Sequence, residues 1–93
     1  MAAPASGDWN ATGQTDEIDF TVIANPPSGV TTWKFRYADS QGGGWSETDT
    51  TSDRSGMVEQ GEGSKLYNVQ MRWEGGTSPN LPSEWSATLQ AQT

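Results

Sequence analysis

The side chains that most often carry enzyme chemistry are scarce in this sequence. Its 93 residues include no histidine and no cysteine, which removes the commonest general base, the commonest metal ligand and any thiolate nucleophile. A serine or threonine nucleophile would need Lys34, Lys65 or a carboxylate as its base. We therefore expect no enzymatic activity and no cofactor, and a small hydrolase is the weakest of the functions considered.

The acidic residues offer the remaining candidate chemistry, because paired carboxylates hydrolyse glycosides and carboxylate clusters bind Ca²⁺. Glu17 and Asp19 would share one strand face while Asp16 would lie in a turn. No acid and base would then face each other across a sugar-sized cleft. Neither this cluster nor the pair Asp49 and Asp53 has the spacing of a dedicated calcium loop. We expect these carboxylates to be solvated and to hold no metal.

The charge balance restricts the partners. Five basic against 12 acidic residues give a net charge of −7, which opposes binding to nucleic acid or to anionic membranes. No stretch approaches the roughly 20 apolar residues of a membrane span, and residues 1–8 lack the features of a signal peptide. We expect neither nucleic acid binding nor membrane insertion, in a chain that is soluble or was cut from a longer protein.

Two segments, 33–37 and 67–73, alternate apolar and polar residues without a slip. Since successive strand side chains point to opposite faces, each segment is typical of a half-buried β-strand. Turn-forming residues divide the chain further, and no segment shows helical periodicity over two turns. The predicted strands are 9–12, 18–24, 31–38, 45–50, 57–58, 65–74 and 85–92.

This pattern predicts an all-β fold, a seven-stranded antiparallel β-sandwich. Residues 1–8 would be a flexible N-terminal segment and residues 9–93 one small domain. The inward-facing apolar residues form the predicted core: Phe20, Val22, Trp33, Phe35, Tyr37, Tyr67, Val69, Met71, Trp73 and Leu89.

Taken in order, four segments resemble those of a fibronectin type III domain, an immunoglobulin-like β-sandwich. They are Pro26-Pro27 after the second strand, the 33–37 strand with its glycine-rich turn and Trp45, the 67–72 strand, and Ser83-Glu84-Trp85-Ser86 before the last strand. The resemblance covers residues 9–93 and implies strands A, B, C, C′, E, F and G. It also implies a tyrosine corner, in which the Tyr67 hydroxyl would bond to the E–F connection near Gly61.

Two departures from the family accompany this resemblance. The segment Ser83-Glu84-Trp85-Ser86 is similar to the second half of the W-S-x-W-S signature of cytokine-receptor members. Because Asn80-Leu81 stands before it, we expect the first Trp-Ser pair to be absent and carry over no receptor function. The family usually places a core Trp near the end of strand B, where this chain has Ala24. We expect other tryptophans to fill that space, drawn from Trp9, Trp33, Trp73 and Trp85.

The outer face of strands C and F carries three of the five cations, Lys34, Arg36 and Arg72. Glu47 and Asp49 on C′ could lie opposite them, and cross-strand ion pairs would keep the face soluble. A basic patch that recognises a partner is the alternative interpretation.

The tryptophans also allow two interpretations, since they can form the core of a small domain or anchor a ligand. Trp45 and Trp85 are the candidates for a binding role, Trp45 because it follows three glycines at an edge strand. Sandwiches commonly bind through loops at one end, so the F–G loop is a further candidate. Its residues are Gly75, Gly76, Thr77, Ser78, Pro79 and Asn80.

These observations favour a non-catalytic fibronectin type III-like module that acts as a structural spacer or protein-interaction domain. Its partners would be other domains of the same assembly or a surface protein. The parent would be extracellular, at the cell surface or on a virion, and the composition fits a bacterial surface protein or a phage tail. A carbohydrate-binding accessory module with an exposed Trp is the alternative.

Overall fold

The computed structural model describes residues 1–93, with every side chain except those of Met57 and Gln60. Its strands are β1 (Trp9–Gln14), β2 (Glu17–Val22), β3 (Val30–Asp39), β4 (Ser46–Glu47), β5 (Met57–Gln60), β6 (Leu66–Gly76) and β7 (Leu89–Gln92). They form two antiparallel sheets, with strand orders β1-β2-β5 and β4-β3-β6-β7. The predicted seven-stranded antiparallel sandwich is thereby confirmed. Among the described residues, no helix has the length and apolar character needed to cross a membrane.

The two alternating segments are neighbours in the four-stranded sheet. β3 and β6 pair from Trp33 opposite Trp73 to Asp39 opposite Tyr67, and their apolar positions face the other sheet. In the three-stranded sheet, β2 alternates in the same way, with Ile18, Phe20 and Val22 buried. The period of two in the sequence therefore specifies which side of each strand is covered.

Aromatic contacts join the two sheets through the centre of the sandwich. Phe20 of one sheet stacks on Phe35 of the other, with ring centroids 4.5 Å apart, and Trp9 tilts against Phe35 at 6.0 Å. The other predicted core residues are also buried, except that Tyr37 and Leu89 are partly buried and pack against the core. Of the four tryptophans from which residues to fill the space near Ala24 were expected, Trp9, Trp33 and Trp73 are buried in the core, and Trp85 lies outside it.

The edge strands of the four-stranded sheet are shorter than the sequence pattern predicts. The predicted C′ strand, 45–50, is reduced to the two residues of β4, and the predicted G strand, 85–92, begins only at Leu89. In both places the chain stays beside its neighbour but pairs through hydroxyl side chains. On the C′ side, the Phe35 N–H donates to Thr48 Oγ1 at 3.1 Å while the Thr48 N–H donates to the Phe35 carbonyl.

Several of the first eight residues contact the sandwich. Pro4 is buried and Met1 packs against the core cluster. The Asp8 carbonyl accepts hydrogen bonds from the N–H groups of Ile23 and Ala24 at 2.8 and 3.0 Å. These bonds fix the start of β1 beside the end of β2.

Candidate interaction surface

Two arginines and two tryptophans stack alternately on the outer face of the four-stranded sheet. Trp85 contacts both Arg36 and Arg72, whose Cζ atoms are 4.3 and 4.5 Å from its ring centroid. Arg36 also stacks on Trp45, at 4.4 Å. The order is Trp45, Arg36, Trp85, Arg72, and we call these four residues the ladder. Each cation–π contact of this kind contributes about 0.5–1 kcal/mol when exposed and more when desolvated.

Strand register places the members of the ladder on one face. Arg36 and Arg72 alternate with the buried residues of β3 and β6, so both point away from the core. Trp45 comes two residues before Glu47, which lies opposite Arg36 in the β3–β4 register. The short edge strand thus brings the Trp45 ring over the guanidinium group.

Two serines attach the segment that carries Trp85 to β6. The Trp73 N–H donates to Ser83 Oγ at 3.0 Å, and the Met71 N–H donates to Ser86 Oγ at 2.9 Å. In return, the serine N–H groups donate to the carbonyls of Trp73 and Met71 at 2.9 and 2.8 Å. Each serine therefore supplies both the donor and the acceptor that a strand residue would otherwise offer.

This attached segment advances three residues for every two residues of β6. The successive pairs are Ser83 with Trp73, Ser86 with Met71 and Leu89 with Val69. Trp85 and Thr88, also three apart, fall on the outer side, where Thr88 Oγ1 accepts a hydrogen bond from Gln70. The spacing of the serines thus directs Trp85 over the sheet instead of into the core.

Neighbouring polar groups satisfy the outward-facing cations. Arg36 Nε donates to Gln70 Oε1 at 2.8 Å, and Arg72 Nε pairs with Glu74 Oε2 at 2.6 Å. Lys34 Nζ lies 3.3 Å from Glu47 Oε1, as the cross-strand interpretation predicts. The cations are therefore engaged within the sheet face, which weakens the interpretation of this face as a free basic patch.

Burial within the ladder lowers the pKa of the Arg36 guanidinium, and Glu47 opposes that shift while Arg72 adds to it. An arginine stays protonated at neutral pH despite such a shift. The positive charge that both indole rings contact is therefore present under physiological conditions.

The two candidate tryptophans differ in how accessible their indole rings are to a ligand. Two guanidinium groups lie over the Trp85 indole, which is partly buried, so this ring already has two stacking partners. Trp45 ends the ladder and is 40% exposed. The space around the preceding glycines is also open, since a Cβ atom at Gly42, Gly43 or Gly44 would meet nothing within 4 Å.

The F–G loop is held against the B–C loop at one pole of the sandwich. The N–H groups of Thr77 and Ser78 donate to the Gly29 carbonyl at 2.9 and 3.2 Å. Gly76 has a φ of 151°, and a Cβ atom there would overlap the same carbonyl. Pro79 and Asn80 remain exposed. Gly76 and Thr77 are exposed as well, so four of the six predicted loop residues are accessible to a partner.

The acidic cluster has the arrangement that the sequence predicts. Glu17 and Asp19 share the outer face of β2, and a hydrogen bond between their carboxyl groups, together with partial burial, raises the pKa of Glu17. Asp16 lies in the turn with a φ of 62° and accepts the Gly61 N–H through its carbonyl. Among the described side chains, no group of three or more acidic residues lies close enough to hold a metal ion, and the described surface has no pocket.

Sequence reasoning missed the serines as pairing residues. The three-residue spacing of Ser83 and Ser86 was the available signal, because it departs from the strand period of two. The equivalent hydrogen bonds of Ser83 and Ser86 also correct the alignment of this segment with the W-S-x-W-S signature. Ser83 aligns with the first serine of that signature, so only its first tryptophan is replaced, by Pro82.

The comparisons with known proteins concern the fold. No family model and no curated protein matches the sequence. Among solved structures, a chain described as "Myokine structure" superposes with a TM-score of 0.73 at 14% sequence identity, over 99% of this chain and 96% of that chain. At this identity the similarity concerns the fold alone. Together with the two antiparallel sheets, it fits a fibronectin type III or immunoglobulin-like β-sandwich.

Proposed function

We propose that this chain is a non-catalytic module of the fibronectin type III kind. It serves as a spacer or protein-interaction domain in a larger surface, secreted or phage tail protein. The observation that carries the proposal is the position of the first and last strands, because the chain enters β1 at one pole of the sandwich and leaves β7 at the other.

Hydrogen bonds show which parts of the chain lie at each pole. At the first pole, Asp8 bonds to Ile23 and Ala24 at the end of β2, close to where the B–C and F–G loops meet. At the second, the Thr93 N–H donates to the Lys65 carbonyl at 3.0 Å, beside the start of β6. A domain of this kind separates its neighbours by its long axis, which measures 39 Å.

The tyrosine corner supports assignment to the fibronectin type III kind. The Glu62 N–H donates to the Tyr67 hydroxyl at 2.8 Å, and the Tyr67 ring packs over Gly61. This is the contact that the resemblance implies, and it secures the connection between β5 and β6.

Replacement of the module in its parent protein tests the spacer role. We expect deletion to disturb the spacing or assembly of the flanking domains. An unrelated β-sandwich of the same length should restore it if the module is a spacer, and should fail if its surface binds a partner. A deletion without effect on assembly, or flanking sequence that encodes no further domain, would contradict the proposal.

Carbohydrate binding remains the second candidate, because Trp45 has an exposed indole that could stack on a sugar ring. A panel of glycans tests it through quenching of tryptophan fluorescence. Binding that is lost in Trp45→Ala while the far-ultraviolet spectrum stays unchanged would favour this function over the spacer role.

A further inference from the structure

The ladder ends on Trp45, which has one guanidinium partner where the internal Trp85 has two. Two guanidinium groups lie over the Trp85 ring, with their Cζ atoms 4.3 and 4.5 Å from its centroid. Trp45 has one such group, that of Arg36, and keeps 40% of its surface exposed. Within the same molecule, Trp85 thus shows that an indole ring can take a second guanidinium group.

The charges beside Trp45 favour a cation at the open end. Glu47 lies on the same outer face, and its side chain is 47% exposed even with Lys34 paired to it. Asp49 is exposed two residues further along. The chain as a whole carries a charge of −7, which attracts basic partners and accelerates their association.

The approach to this end of the ladder is unobstructed. Residues 41–47 are all exposed, and the surroundings of Gly42, Gly43 and Gly44 are open. The edge strand β4 pairs with β3 over only two residues. A side chain from another protein can therefore reach the indole without displacing a strand.

We infer that Trp45 is a docking site for an arginine side chain of a protein partner, which stacks on the indole as a fifth member of the ladder and is paired by Glu47. This inference rests on the proposed interaction role and names its surface and the chemistry of its partner. A guanidinium group fits because it is planar, stacks on aromatic rings and pairs with carboxylates.

Titration of the intact chain with model peptides tests the inference. The probe is an acetylated and amidated Gly-Arg-Gly-Arg-Gly peptide, and its citrulline counterpart has the same shape without the charge. In ¹H–¹⁵N spectra, we expect the Trp45 indole N–H to shift more than the other four indole signals with the arginine peptide. The citrulline peptide should bind about 2- to 5-fold more weakly, the range expected from one exposed cation–π contact.

Matched variants separate stacking from general charge attraction. Trp45→Leu keeps an apolar side chain and should lower affinity for the arginine peptide about 2- to 5-fold. Glu47→Gln should weaken binding more than Asp16→Asn, which removes one negative charge from an exposed turn elsewhere. Folding of each variant is checked by the dispersion of its backbone amide signals.

Three results would overturn the inference: equal shifts with the citrulline peptide, no selective shift at Trp45, or a shift with glycans alone. The last would support the carbohydrate alternative. None of these results bears on the pole-to-pole arrangement that carries the spacer proposal. Because that proposal is tested in the parent protein, the docking inference and the spacer proposal can fail separately.

Discussion

At the scale of single residues, the Tyr67 hydroxyl illustrates how one polar atom holds a connection in place. It accepts the Glu62 N–H at 2.8 Å, and the Tyr67 ring makes a T-shaped contact with the Tyr37 ring, with the centroids 6.0 Å apart. Without this acceptor, a partly buried N–H would lose its partner. The contribution of such a bond is small compared with burial of the ring, yet it selects one path for the chain between β5 and β6.

We expect Tyr67→Phe to lower the free energy of unfolding by about 1–2 kcal/mol, because it leaves the Glu62 N–H without an acceptor while preserving the ring. Urea denaturation followed by fluorescence measures the change. Tyr37→Phe is the matched control and should cost about 0.5 kcal/mol or less, since the Tyr37 side chain is only partly buried and its hydroxyl neighbours the exposed Ser46. Equal losses in the two variants would contradict a specific role for the tyrosine corner.

The ladder shows what residue types alone could and could not predict. Arg36 and Arg72 were predicted to face outward, because strand alternation determines the side on which each lies. Their stacking on Trp85 was not predicted, because it depends on a segment that does not follow the strand period. The sequence therefore indicated which cations share a face. It did not indicate which groups contact them, because those contacts depend on how the strands and the attached segment pair in three dimensions.

At the scale of elements, the long central strands and the edge segments pair with their neighbours in different ways. β3 and β6 were predicted nearly to their ends because alternation of Trp33, Phe35 and Tyr37 is a local property of the sequence. The edges beside them pair through Thr48, Ser83 and Ser86, whose hydroxyls replace backbone acceptors. A pattern of period two cannot reveal such pairing, so the predicted C′ and G strands extended too far.

Ser83→Ala and Ser86→Ala should each lower the free energy of unfolding by about 1–3 kcal/mol, because each leaves a buried N–H of β6 without an acceptor. Thr88→Ala, at an exposed position of the same segment, should cost less. Hydrogen exchange provides the specific measurement: the Trp73 amide should lose protection in the first variant and the Met71 amide in the second. Unchanged protection of both amides would show that the serines do not hold the segment.

The edge strand β5 carries a charged residue on its inner side. Glu59 lies opposite the buried Ile18 in the β2–β5 register, so its side chain faces the space between the sheets. Burial, and to a smaller extent the charge of Asp49, raises the pKa of Glu59 above its ordinary value of 4.5. An inward-pointing charge on an edge strand discourages pairing with other chains, at a cost in stability.

The sign of this pKa shift gives a pH dependence. Because the folded state favours protonated Glu59, its ionisation opposes folding above the raised pKa, and the opposition disappears as the pH falls below 4.5. Glu59→Gln should therefore raise the melting temperature at pH 7, and the gain should shrink toward pH 4. Glu84→Gln, at an exposed position, controls for the reduced net charge. An equal gain in both variants, or a gain independent of pH, would refute this assignment.

At the scale of the whole molecule, closure of the sandwich depends on one close approach between its sheets. β1 belongs to the three-stranded sheet and β7 to the four-stranded sheet, yet a Cβ atom at Gly13 would overlap the carbonyl oxygen of Gln92. The sequence around Gly13 does not indicate this close approach, because the carbonyl that restricts Gly13 belongs to a residue 79 positions later in the chain. The composition predicted a compact sandwich, but not the point at which its two edges meet.

Gly13→Ala should therefore destabilise the fold by about 1–3 kcal/mol, since the obstructing atoms are backbone and can yield only if β1 and β7 move apart. Gly44→Ala is the matched control: it adds the same methyl group where nothing lies within 4 Å, and it should leave stability within about 0.5 kcal/mol of the parent. Thermal and urea unfolding measure both changes. Amide exchange should also be faster along β1 and β7 in Gly13→Ala, because separation of these strands opens one side of the sandwich while β3 and β6 remain paired. If Gly13→Ala were as stable as Gly44→Ala, the two sheets would not meet at this position.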